Sequence, residues 1–275
     1  MASDGDIIGG GIFLFAAFGL FGNISFLIAV RRRREIRSKN SLLLCTNCCV
    51  QVLCILYELV NAVRQILRVH LRRWECFASI APFVTPFSLV ISFLPSYVFV
   101  SNYQAMLYIM IAADLLFSIT RPTKYITVNA FPYLAFLQIP SILYGLAFVV
   151  LPIAVGLDDD VLMACNPPLA FPPSVTMAWN KCNVSICIIV VVIYSGICVQ
   201  MLSLYFTSRC KKLDASCHFT PNTKSQKKVI RSMTVLTLIF TFSWFLSQAA
   251  SAPELLPFAD DKMIAVIQTY AVCNY

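Results

Sequence analysis

Long apolar runs separated by short polar segments recur from one end of the chain to the other. Length identifies them better than periodicity does. Ile7 to Val30 carries no charge, and at about 1.5 Å per residue it crosses a hydrocarbon core of roughly 30 Å. A second run covers about Ser41 to Val60. A third region opens at Cys76 and includes Tyr103 to Tyr125. The fourth falls within the 33 uncharged residues from Tyr125 to Leu157, where Pro132, Pro140 and Pro152 mark ends or kinks. The fifth runs from about Val184 to Phe206, the sixth from Arg231 to Ala250, and the seventh starts near Lys262. Thirteen residues from Met263 to Tyr275 rise only about 20 Å, so the seventh helix is expected to be truncated. The pattern predicts an all-α polytopic membrane protein, a seven-transmembrane helix bundle forming one domain over residues 1–275.

The third region does not fit one straight helix. Cys76 and Asp114 are 38 residues apart, about 57 Å of helix, and Pro86 and Pro95 are poor helix-interior residues. One reading places an insertion here. The other makes Phe77 to Val100 an additional span, which would turn the basic segment from Arg209 to Arg231 outward. Charge bias opposes the second reading. With seven alternating spans, the three inner loops hold six, two and seven of the 21 Lys and Arg, and the outer regions hold the rest. This bias places the N-terminus outside.

Composition agrees with a membrane protein. Only 12% of the 275 residues are charged and 59% are hydrophobic, with a mean hydropathy of +0.78, whereas a soluble domain keeps about a quarter of its residues charged. The net charge of +8 falls in loops between apolar runs. It therefore reads as a topology signal and a contact for lipid headgroups, not as a nucleic-acid surface. The twelve cysteines are scattered, and Cys45, Cys48, Cys49 and Cys54 fall inside apolar runs as small hydrophobes. His70 and His218 are the only histidines and both lie in loops, so no metal, cofactor or catalytic set is expected. Asn23-Ile24-Ser25 is a sequon too deep for glycosylation, and Asn183-Val184-Ser185 lies against the fifth run. Asp114 is the lone carboxylate of the Tyr103–Tyr125 stretch. An ionised side chain in hydrocarbon costs roughly 2.5 to 3.5 kcal/mol, so Asp114 faces the bundle interior or an interface.

Several short motifs carry a resemblance. Asp114, Pro122 and Tyr125 form D(x7)P(x2)Y, Gly22-Asn23 forms a GN pair, and Ile36-Arg37-Ser38-Lys39 leads into Asn40. Phe240 and Trp244 have F(x3)W spacing. Together they resemble rhodopsin-like G-protein-coupled receptors, most of all nematode serpentine chemoreceptors of the Srsx class. The resemblance implies a chemosensory receptor for a small extracellular ligand that couples to a heterotrimeric G protein at the cell membrane. It also implies a polar network through Asn23 and Gln51, where Gln51 replaces the family's helix-two Asp. Cys76 is expected to pair with Cys165, with Cys182 as the rival partner. Asp114, Pro122, Tyr125, Phe240 and Trp244 are the expected coupling and switch residues, although Trp244 also suits packing or an interface. By position, Tyr103, Met106, Trp244 and Gln248 line the ligand pocket.

Departures from the family pattern carry their own expectations. Leu115 occupies the place of the Arg that usually follows the Asp, so coupling is expected to be impaired. The family keeps Cys76 and Asp114 about 24 residues apart. Removing Thr85 to Val98 restores that spacing, which marks 85–98 as the insertion. The basic loop from Arg209 to Arg231 suits a G protein or anionic lipid, and equally suits a loop that only sets topology. The alternative class, a small-molecule transporter or channel, calls for internal repeats or several buried charges, and neither is evident.

Overall fold

The computed structural model of the chain describes residues 4–33, 38–67, 71–80, 97–162, 165 and 167–213. The expected sixth and seventh helices, with Phe240, Trp244 and Gln248, lie outside the described residues. So do residues 85–96 of the expected insertion.

Helix α1 (Asp4–Arg32) packs along α2 (Lys39–Ile66). The second helix outlasts the expected Val60 end by nearly two turns. Nothing after Val60 stops it, because Ala62, Arg64 and Gln65 are good helix formers, and Leu67 N–H still donates to Val63 at 2.9 Å. The third region is divided. Cys76 lies in a short helix, α3 (Arg73–Ile80), while the membrane helix is α4 (Tyr97–Thr120). Tyr97 and Val98, the last two residues of the segment read as an insertion, open α4 and are buried.

A short α5 (Pro122–Thr127) follows α4, then α6 (Ala130–Val155), α7 (Pro167–Ala170) and α8 (Pro173–Leu213). The last of these begins eleven residues before the expected start of the fifth helix. Pro173 is its first residue, a place where a missing N–H costs nothing. At 41 residues α8 extends about 61 Å, well beyond a hydrocarbon core. Two short strands, β1 (Leu71–Arg72) and β2 (Val161–Leu162), pair antiparallel, with Leu71 opposite Leu162 and Arg72 opposite Val161.

Four helices among the described residues are long and apolar enough to span: Lys39–Arg64, Tyr97–Thr120, Ala130–Val155 and Pro173–Gln200. Of their most apolar windows, half is buried in α4 and a third or less in the others, which makes α4 the centre of the bundle. It contacts α2, α6 and α8. The outer helix faces remain apolar, with Phe18 and Phe21 on α1 and Phe131, Phe136, Leu143 and Val150 on α6 exposed, as suits surfaces that face lipid. Between α4 and α6 the approach is close at Gly145. A Cβ there would stand 2.9 Å from the Phe99 ring and 3.0 Å from the Phe99 carbonyl oxygen.

Candidate functional site

Polar groups gather at both ends of α4, and a row of buried polar residues on α2 lies between them. At one end Asp114 is fully buried. Its Oδ2 accepts from Asn40 Nδ2 at 2.8 Å and from the Tyr125 hydroxyl at 3.2 Å. Lys39, beside Asn40 at the start of α2, donates to the carbonyls of Tyr125 and Val128. These are C-terminal carbonyls of α5, which a cation satisfies well. The same ammonium lies 4.8 Å from the Tyr125 ring centroid and 5.9 Å from that of Tyr133. Phe117 and Tyr133 both meet the Tyr125 ring edge-on, at 5.8 and 6.1 Å. Burial first, then the negative charge of Asp114, raises the Tyr125 hydroxyl above its ordinary range. Pro122 starts α5 and so turns the chain back toward Asp114.

Leu115 points elsewhere. It is buried in an apolar cluster with Ala112 of α4 and Ile186, Cys187, Val190 and Ile197 of α8. A guanidinium in its place would meet that apolar surface.

Asn47, Gln51, Cys54, Glu58 and Asn61 recur at alternating steps of four and three along α2, which puts them on one face, and all five are buried. This face meets α4. Gln51 Nε2 donates to the Tyr108 hydroxyl at 3.3 Å, and Gln104 Nε2 donates to the same oxygen at 2.7 Å. The Cys54 thiol donates to Gln104 Oε1 at 3.4 Å. Furthest along, the Tyr97 hydroxyl donates to the Glu58 carboxylate.

This second end carries the disulfide. Cys76 and Cys165 are bonded, with Cα atoms 5.5 Å apart, while Cys182 is a free, exposed thiol on α8. Arg73, the residue after β1, is buried and bonds to Asp158 and, at 3.4 Å, to Asp160; Arg72 lies 3.8 Å from Asp159. The acidic triplet thus offsets cations that ran against the charge bias on this side. An aromatic core of Phe77, Tyr97, Phe171 and Trp179 packs with the disulfide. Trp179 Nε1 donates to Asn102 Oδ1 at 2.6 Å, which ties α8 to α4.

The expected site residues are distributed differently from their sequence assignment. Asp114 and Tyr125 meet. Asn23 and Gln51 do not bond to each other among the described residues: the Asn23 amide donates to Gly19 of its own helix at 2.9 Å, a local bond open to a short amide. Tyr103 stacks on Phe99 at 5.9 Å and donates to Gln138 of α6, while Met106 packs toward α8. The two pocket candidates therefore face different helices. The sequon residue Asn183 is buried and accepts from the Tyr144 hydroxyl at 3.2 Å.

Sequence reasoning gave no role to Glu58, Tyr97, Asn102 or Trp179, and used Lys39 only as part of a motif. The signal for Glu58 was available in the four-and-three recurrence of polar residues along α2, which a search for one residue near Gln51 overlooks.

No curated protein sequence matches the chain significantly. A family model described as serpentine type 7TM GPCR chemoreceptor Srsx matches residues 16–274, nearly the whole chain, a stretch that includes the disulfide, the Asp114–Tyr125 pair and the spanning helices. The chain is therefore a multi-pass membrane protein that belongs to the Srsx family of serpentine seven-transmembrane chemoreceptors.

Proposed function

We propose that the chain detects a small extracellular molecule at its disulfide end and presents its Asp114 end to a heterotrimeric G protein inside the cell. The observation that carries this reading is that the α2–α4 contact is hydrogen-bonded at both ends and between them, by Tyr97–Glu58 beside the aromatic core at the disulfide end, by Gln51 and Gln104 on Tyr108 midway, and by Asn40–Asp114–Tyr125 at the other end. A ligand that prefers one arrangement of this seam shifts the population of states, and the shift is read at the far end.

Orientation follows from charge. Arg31, Arg32, Arg33, Lys39, Arg121 and Lys124 belong to the Asp114 end, against Arg64, Arg72, Arg73 and Lys181 toward the disulfide end, where Arg72 and Arg73 are paired with aspartates. The positive-inside bias then places the disulfide end and the N-terminus outside. The thiols of Cys76 and Cys165 would oxidise in the secretory lumen on that side.

Coupling is weak in this form, because Leu115 is sealed between α4 and α8 and no cation follows Asp114. Leu115→Arg should recover part of it only to the extent that α8 shifts to admit the guanidinium, since the present position is packed against apolar residues.

The test uses the purified chain in lipid nanodiscs, screened against a library of small organic molecules by unfolding midpoint. Binders should stabilise it by about 2.7 kcal/mol at a hundredfold excess over Kd. Nucleotide exchange on an added G protein should be low and should rise in Leu115→Arg. A library that never shifts the midpoint, with compounds that cross liposomes only when the chain is present, would overturn the receptor in favour of a transporter.

A further inference from the structure

Glu58 closes the α2–α4 seam at the disulfide end through its bond from Tyr97. It is the one carboxylate within the four spanning helices besides Asp114, and it is 7% exposed. Tyr97 and Asn61 both hydrogen-bond to it, and two neutral donors of this kind orient a carboxylate without neutralising it. Among the described residues no cation pairs with Glu58, because the ion pairs all join Arg72 and Arg73 to Asp158, Asp159 and Asp160. Asp114, by contrast, has Lys39 nearby. A buried carboxylate in a low-dielectric setting requires a positive partner or a proton.

The surroundings narrow the choice. The Tyr57 ring lies 5.4 Å from that of Tyr97, and the cluster containing Tyr97 continues through Phe77, Phe171 and Trp179. Aromatic faces attract cations and also present apolar area. A carboxylate held by two donors beside aromatic rings has the chemistry of an ammonium site: one ionic contact fixes the charged nitrogen and the rings take the rest of the molecule.

We propose that Glu58 is the anchor for an organic ammonium ligand, a primary to quaternary amine with an apolar substituent, bound at the disulfide end. This deepens the receptor reading and rests on it. Tyr97 acts as a positioning residue, since its hydroxyl holds one carboxylate oxygen in place. The same geometry predicts the order of ligand preference. Neutral isosteres lose the ionic contact and bind weakly, and anions are excluded by the carboxylate.

The experiment uses the full chain in nanodiscs and a panel of propylamine, 2-phenylethylamine and choline, each matched to a neutral analogue: propanol, 2-phenylethanol and 3,3-dimethylbutanol. The readout is the concentration needed to raise the unfolding midpoint. At least one amine should act at a concentration tenfold or more below that of its neutral partner. Glu58→Gln, which keeps the size and the Tyr97 bond, should abolish that preference, while Glu58→Asp should keep part of it. Tyr97→Phe should weaken the amine without removing its advantage. Equal binding of amine and neutral partner overturns the proposal, as does an unchanged preference in Glu58→Gln. Coupling in stability between Glu58→Gln and Lys262→Gln would show an internal counterion and overturn it equally. If Glu58→Gln does not fold, the amine-against-neutral comparison on the unaltered chain decides alone. Stabilisation by neutral compounds only would remove this inference and leave the receptor reading standing.

Discussion

The bond between Asn40 and Asp114 is the best point at which to test how α2 and α4 are joined. Asn40 Nδ2 lies 2.8 Å from Asp114 Oδ2, and the carboxylate is fully buried. A hydrogen bond to a charged group contributes about 1.5–3 kcal/mol, and a buried partner left behind adds its desolvation cost. Asn40→Ala in the parent chain should therefore cost about 2 kcal/mol. In an Asp114→Ala background the same change should cost only about 0.5 kcal/mol, because its acceptor is already gone. The coupling is then about 1.5 kcal/mol, within the range for residues in direct contact. For a chain of this size it corresponds to roughly 3–6 °C in the unfolding midpoint. The assay can use the chain's own thiols. Cys54 and Cys187 are buried and free, so a fluorogenic maleimide reports their exposure on heating. Additive costs, with coupling below about 0.5 kcal/mol, would mean that the two side chains do not bond in the folded protein and that the seam ends short of Asp114.

Gly145→Ala should cost about 1–3 kcal/mol through overpacking, and Phe99→Leu should recover only part of it, since the Phe99 carbonyl at 3.0 Å remains; full recovery in the double variant would refute the backbone contact. Cys165→Ser should lower the yield of folded protein, with a loop-closure loss of up to about 4.5 kcal/mol for a separation of 89 residues; an unchanged midpoint for the non-reduced parent and the variant would count against the bond. The raised Tyr125 hydroxyl stabilises the fold while protonated, so its contribution is complete below about pH 10 and is lost as pH rises further. Tyr125→Phe should accordingly lose about 1 kcal/mol at neutral pH and show a shallower alkaline decline, and an identical decline in both proteins would contradict the assignment.

Much of the architecture was legible because lipid imposes a simple rule, that every spanning backbone must satisfy itself within a helix. The runs around α1, α2, α4 and α6 show this directly. Helix ends were less legible. The chain from Asn61 to Ile66 and from Pro173 to Asn183 stays helical beyond the apolar run, since leaving the hydrocarbon does not itself break a helix. At the site, the Cys76–Cys165 pair was expected from the family resemblance, which also singled out Asp114 and Tyr125 by their spacing but not the bond between them. The direction of Tyr103 and Met106 did not follow from it, because three residues along a helix turn a side chain by most of a revolution. Glu58 and Tyr97 are 39 residues apart, and only the packing of α2 on α4 brings them together. The Arg72–Arg73 exception to the charge bias became intelligible once β1 paired with β2 and brought the aspartates across.

Receptor function requires above all that the disulfide end of the bundle face out of the cell. An epitope tag placed before Asp4 and another inserted at Ser216, three residues beyond α8, can be labelled on intact and on permeabilised cells. The N-terminal tag should be labelled in both, and the Ser216 tag only after permeabilisation. Labelling of the Ser216 tag on intact cells would put the Asp114 cluster outside and contradict the receptor reading at its foundation.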